Sequence, residues 1–214
     1  MPSKAYQNFQ TNLQQVDRLL ETYDRELARK IGKGKRSLDH LTRAGLVFLC
    51  SSFEVYVESC IMESGDIVVK SINAPSEFPR SVKKKISDAV KKEKNELSPI
   101  LFFDDWKKYY TDLIYYDTKH LNTPKIDNIK ELLHNYFGIQ NSDIDDSVFP
   151  FNNVNDIVSA RGDVAHNLFG DKYLKRATLV EYRDTIKAVV TEIDKILYSK
   201  LPNTIKKKPW KNTY

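Results

Sequence analysis

Apolar residues recur at spacings of three and four along most of this chain, the signature of helices with one buried side. Over residues 4–30 the set is Phe9, Leu13, Val16, Leu20, Tyr23 and Leu27, and "IGKGKRS" with Gly32 and Gly34 ends that helix. Residues 38–72 form a second helix of another kind. In "LTRAGLVFLCSSFEVYVESCIM" apolar side chains point to nearly every side, which places this helix at the centre of a bundle. "NAPSEFP" is a turn, a basic helix follows over 80–96, and "LSPILFFDD" breaks it. "DWKKYYTDLIYY", 105–116, is a short aromatic helix. In "HLNTPKIDNIKELLHNYFGI" Thr123 caps, Pro124 takes the first helical position and Gly138 stops the helix. Helices over 152–168 and 174–201 complete the set. No strand-like alternation is sustained, so the expected fold class is all-α, one domain over residues 1–202 built around the central apolar helix.

Composition adds little to that picture and charge adds more. The chain has 214 residues, with 7 glycines, 8 prolines and a formal charge of +5. The basic residues cluster at 33–36, 83–85, 91–94 and 206–211, a distribution compatible with a polyanionic partner. The last segment, 203–214, reads as a disordered basic tail, with Lys206, Lys207 and Lys208 as candidate contacts to the phosphates of a nucleic acid. Trp210 there either stacks on a base or docks on its own domain. Cys50 and Cys60 lie about 15 Å apart by helical rise, beyond the ~7 Å that a disulfide spans. With no apolar leader and no long unbroken apolar run, the expected setting is cytoplasmic, with no membrane partner.

Two charged positions break the apolar pattern where it is strongest. In the 152–168 helix, Arg161 has Ile157, Val158, Val164 and Ala165 as its i±3 and i±4 neighbours. An arginine in such a stripe meets a carboxylate or faces a cleft that takes an anion. Glu54, on the central helix, is the candidate carboxylate; it shares a stripe with Arg43, about 20° away on the wheel. His166 stands about 140° from Arg161, across an arc holding Ala165, Gly162, Val158 and Asn155, with Asp163 and Asn167 beside His166.

Arginine grips phosphate with a fixed fork, and histidine exchanges a proton near neutral pH. The pair suits attack of a ribose 2′-hydroxyl on the neighbouring phosphate, with no metal or cofactor. Such a reaction needs an acid and a base, and a two-fold dimer supplies two histidines. His134 reads as a packing residue, and His40 and His120 carry no assigned role. No set of His, Cys and carboxylate residues has metal-ligand spacing, and neither a glycine-rich phosphate loop nor a Gly-x-Ser-x-Gly elbow occurs.

Three segments together resemble HEPN-domain proteins, and among them the subfamilies related to RiboL-PSP and cyanobacterial defence proteins. They are "RGDVAH" followed by Asn167, the central "LTRAGLVFLCSSFEVYVES" with Glu54 after Phe53, and "HLNTPKIDNIKELLHNYFGI". The likeness spans residues 38–198. It implies a HEPN-like helical bundle, a two-fold homodimer and metal-independent RNA cleavage at a composite dimer site, leaving 2′,3′-cyclic phosphate ends. Arg161 and His166 carry over as the motif residues, with Glu54, Asp163 and Asn167 in support. The residue after the arginine, commonly asparagine in the family, is Gly162 here. The resemblance implies a toxin or antiphage effector with an antitoxin or defence-system partner. Its alternative is a non-catalytic member that binds RNA or nucleotide, or serves as a scaffold. A plain helical interaction module with a basic tail is the third reading.

Overall fold

A computed structural model describes residues 2–29, 38–92, 105–121, 124–166 and 174–211; the side chains of Ala165 and His166 are outside that description. Among the described residues there is no strand. Seven α-helices run as α1 (Lys4–Arg29), α2 (Asp39–Val69), α3 (Arg80–Lys92), α4 (Trp106–Lys119), α5 (Ile126–Phe137), α6 (Val154–His166) and α7 (Arg176–Lys200). A single turn, α8 (Pro202–Ile205), closes the described chain. The all-α expectation holds, with helix ends within a few residues of the sequence pattern.

The central position of α2 follows from its composition. Its apolar residues are spread around the axis, so it packs on α1, α4, α5, α6 and α7 at once. Leu46, Leu49, Phe53, Tyr56 and Ile61 on α2 are fully buried. By length and hydropathy α2 alone among the described helices could cross a membrane, yet its apolar window is mostly buried inside the bundle. Two glycines set its neighbours' approach. A Cβ on Gly45 would strike Leu179, and one on Gly65 would strike Ile114 of α4. The two helix neighbours press against α2 where it has no side chain.

The second tier, α3 with α5, joins the bundle through aromatic residues. Phe78 lies between Trp106 and Tyr110, and Tyr110 meets Tyr136 edge-on. The Tyr110 hydroxyl donates to the Tyr136 carbonyl at 2.6 Å, and the Tyr136 hydroxyl donates to Asp117 at 2.7 Å. Gly138 ends α5 in the left-handed region at φ 72°, as expected, with its α-carbon pressed on Pro79. The start of α5 differs from the expectation. Thr123 is outside the described residues, Pro124 precedes the helix, and Lys125 holds the cap position. The Ile126 amide is satisfied instead by Asn155 of α6, at 3.1 Å. A side chain distant in sequence closes this helix, which no local signal reveals.

The tail also departs from its expected disorder. Ile205 is buried, and Trp210 packs partly buried against the core with its ring 6.2 Å from Tyr198. Lys208 sits over the other aromatic of that pair, 4.4 Å from the Tyr198 centroid. Ile205, a turn beyond Leu201, and Trp210 are the apolar residues by which this stretch packs on the domain. Residues 212–214 lie outside the described residues.

Candidate active site

Arg161 stands in the third turn of α6, one turn after the buried Ile157 and Val158 that fix this helix against α2. The Cys50 thiol points at the Ile157 carbonyl, 3.9 Å away, and marks the contact line between the two helices. One turn along α2 from Cys50 stands Glu54. Both Glu54 and Arg161 are half-buried.

The two groups are near enough to influence each other electrostatically. Burial raises the Glu54 carboxyl above its ordinary value, Glu58 adds to that, and the Arg161 guanidinium partly offsets it. The Cys50 thiol is pushed up to about 12, first by burial and further by Glu54, again against the pull of Arg161. Glu54 and Arg161 nevertheless form no ion pair with each other. The expected salt bridge is therefore a loose electrostatic facing and not a closed contact. Arg43 is engaged elsewhere, in an ion pair with Asp39 one turn back on α2.

Gly162 follows Arg161 with open space around it: a Cβ there would meet no atom within 4 Å. Its neighbours on the arc toward His166 are used inside the domain, since Val158 enters the core and Asn155 caps α5. Among the described residues none beyond its own helix approaches Gly162 closely, so on that side the small-residue floor is open. Asp163 is exposed. His166 is the last residue of α6; its side chain and Asn167 lie outside the described residues. Beside Glu54, α2 turns an apolar stripe outward, with Phe48 50% and Val55 48% exposed.

The basic tail residues are not brought to this site by any described contact. Lys206 donates to Asn203, Lys208 lies on Tyr198, and Trp210 is committed to its own domain. Among the described residues no group of three or more His, Cys, Asp or Glu side chains gathers to hold a metal ion. His134 bonds through Nδ1 to the Ile139 carbonyl at 3.2 Å, a packing role as expected from its helix. His120 was passed over by sequence reasoning, yet its ring pairs with Tyr116 at 4.2 Å. The i, i+4 spacing in "YYDTKH" is the signal that could have found it.

What this arrangement offers chemically is a guanidinium with no ion-pair partner among the described residues, open on the side of Gly162, under the electrostatic influence of an acid that holds its proton more tightly than usual. No curated protein and no solved structure matches the chain. The family model RiboL-PSP-HEPN matches residues 11–199, through α2, the α5 segment and the Arg161 helix alike. Such membership points to a ribonuclease- or defence-related role. The chain belongs to the RiboL-PSP-HEPN family.

Proposed function

We propose that this protein is a metal-independent endoribonuclease of the HEPN type, acting as a cytoplasmic toxin or antiphage effector through a composite site on a homodimer. The observation that carries the reading is Arg161: half-buried among apolar neighbours, unpaired by Glu54 and open beside Gly162. A half-buried guanidinium without a carboxylate at hydrogen-bond distance is an anion site in waiting. The scissile phosphate is the anion that fits.

In the proposed step His166 of one protomer takes the proton of the ribose 2′-hydroxyl. The 2′-oxygen attacks the adjacent phosphorus while the bond to the 5′-oxygen breaks. His166 of the second protomer gives that oxygen its proton, which leaves a 2′,3′-cyclic phosphate and a 5′-hydroxyl. Arg161 stabilises the charge that gathers on the phosphoryl oxygens. Glu54 positions Arg161 from a distance, and Asp163 and Asn167 support His166. The exposed stripe of Phe48 and Val55 beside Glu54 supports the dimer, since an outward apolar face next to the site is the surface a second copy would cover. An antitoxin or another defence-system protein is the expected regulator.

Gly162 favours a second reading. It stands where the family commonly carries a polar residue, so a non-catalytic member that binds RNA or nucleotide is the rival. One experiment separates them. Wild type and His166→Ala are incubated with total RNA in EDTA and the fragment ends are analysed. Cleavage by wild type only, with 2′,3′-cyclic phosphate ends, is the expected result. Binding without cleavage by either protein selects the rival, and equal cleavage by both removes His166 from the site.

A further inference from the structure

The exposed face of α4 has no place in the chemistry described so far. Tyr115 and Tyr116 are 55% and 61% exposed, the two most exposed tyrosines of the described chain. Their helix is held from behind: Tyr110, Ile114 and Thr118 are buried, with Ile114 seated on Gly65 of α2. The two outward rings are thus fixed by a rigid backbone without being packed themselves. Tyr116 lies against the His120 ring at 4.2 Å with a tilt of 35°. The His120 Nδ1–H donates to the Tyr116 carbonyl at 2.6 Å, which fixes the ring's orientation and leaves Nε2 free of that bond. Lys119 extends over Tyr115 at 5.8 Å from the centroid.

Beside His120 a cavity of about 300 Å³ opens between α3, α4 and α5. Its polar walls are Lys85, Asp117, His120, Asn128, Glu131 and Asn135. The single cation among them, Lys85, is neutralised by Asp117 at 2.6 Å. A phosphate would find no free positive charge here. Amides and a carboxylate line it instead, with the Asn135 amide donating to Glu131 at 3.3 Å, a donor–acceptor pairing that the edge of a nucleobase can join through the remaining oxygen and N–H positions. Cationic contacts lie outside the cavity: Lys119 on α4 and exposed Lys92, two turns beyond Lys85 on the same side of α3.

One contact ties the face to the stretch of α2 that carries Glu54. Lys119 reaches Glu58 of α2 at 4.0 Å, and Glu58 is one turn from Glu54, about 6 Å along the helix axis. We infer that the Tyr115–Tyr116–His120 face is a stacking platform for bases of single-stranded RNA, with the adjoining cavity taking the edge of one base. The inference rests on the ribonuclease reading for its ligand and adds an unpaired-strand preference, since paired bases cannot stack on protein rings.

The test measures binding on the His166→Ala background, so that cleavage does not intervene. A fluorescein-labelled oligouridylate and its duplex with oligoadenylate are titrated with that protein and with Tyr116→Ala, His120→Ala and Tyr116→Trp added to it. Loss of single-strand affinity by about fivefold to a hundredfold in the alanine variants is expected, at an unchanged salt slope, because the rings touch no phosphate. Tyr116→Trp should keep the affinity, and all variants should keep the helical circular dichroism. Unchanged single-strand affinity in the alanine variants overturns the platform while leaving RNA binding in place. An equal loss on the duplex overturns it as well, as does a shift in oligomeric state without change in RNA affinity, which would make this face a protein contact. Absence of any RNA binding by the parent protein overturns the platform together with the reading it rests on.

Discussion

Helix α2 carries two glutamates nine positions apart with opposite fates. Glu63 is committed: its carboxylate accepts the backbone amides of Lys4 and Ala5 at 3.0 and 2.9 Å, closing the start of α1. The same corner holds Ser3, whose hydroxyl caps the Tyr6 amide and donates to Asp194, a carboxylate with 0% exposure. Glu54 lies within reach of Arg161 and closes on nothing. At the first end the amides of Lys4, Ala5 and Tyr6 and the hydroxyl of Ser3 each donate to a matched acceptor. At the second end a half-buried acid and a half-buried guanidinium influence each other without forming an ion pair. Matched groups hold a fold; groups left short of their partners are available to a ligand.

The contrast makes opposite demands on mutation. Arg161→Ala should reduce RNA cleavage by about 10²–10³-fold, the cost of one phosphoryl-oxygen donor, while thermal stability stays within ~1 kcal/mol because no ion pair is broken. A large fall in stability instead would show that Arg161 belongs with the matched groups. Asp194→Ala should do the reverse. Removing a fully buried acceptor strands Ser3 and should cost about 3 kcal/mol, read in urea unfolding, with cleavage per folded molecule unchanged. Smaller again is Glu63→Gln. It keeps one acceptor for the start of α1 but loses the charge that favours a helix N-terminus, for about 1 kcal/mol.

These two ends were unequally legible in the sequence. The stripe Phe9, Leu13, Val16 and Leu20 gave α1, the all-round apolar character of 38–72 gave the centre, and Gly138 marked the end of α5, because each is a local pattern of period or backbone freedom. Arg161 and Glu54 were legible as charges out of place. Whether they would touch was not, since that depends on how α6 seats on α2 through Cys50, Ile157 and Val158. The cap that Asn155 gives Ile126, the docking of Trp210 on Tyr198 and the clamp of Ser3 on Asp194 join residues 29, 12 and 191 positions apart. Period and spacing carry no information about such pairs. Tyr116 and His120 were within reach of a local reading, and were missed because an exposed aromatic in a helix looks like surface until its ring partner and the cavity beside it are known.

The subtlest separation of the two ends is Glu54→Gln, read by melting temperature against pH. Burial raises the Glu54 carboxyl in the folded protein. The folded state therefore holds this proton more tightly than the unfolded chain does. As pH rises through the ordinary carboxylate range, the unfolded chain releases the proton first, and stability falls until the folded group has ionised as well. Below that range both states are protonated and glutamine should match glutamate. Above it glutamine should melt slightly higher, because it removes a charge that is desolvated and crowded by Glu58 more than it is relieved by Arg161. A lower melting temperature for Glu54→Gln near neutral pH would mean that the two groups do close into an ion pair in solution. Arg161 would then arrive at the phosphate only by leaving Glu54, and the acid would act as a competitor for the site and not as its positioning group.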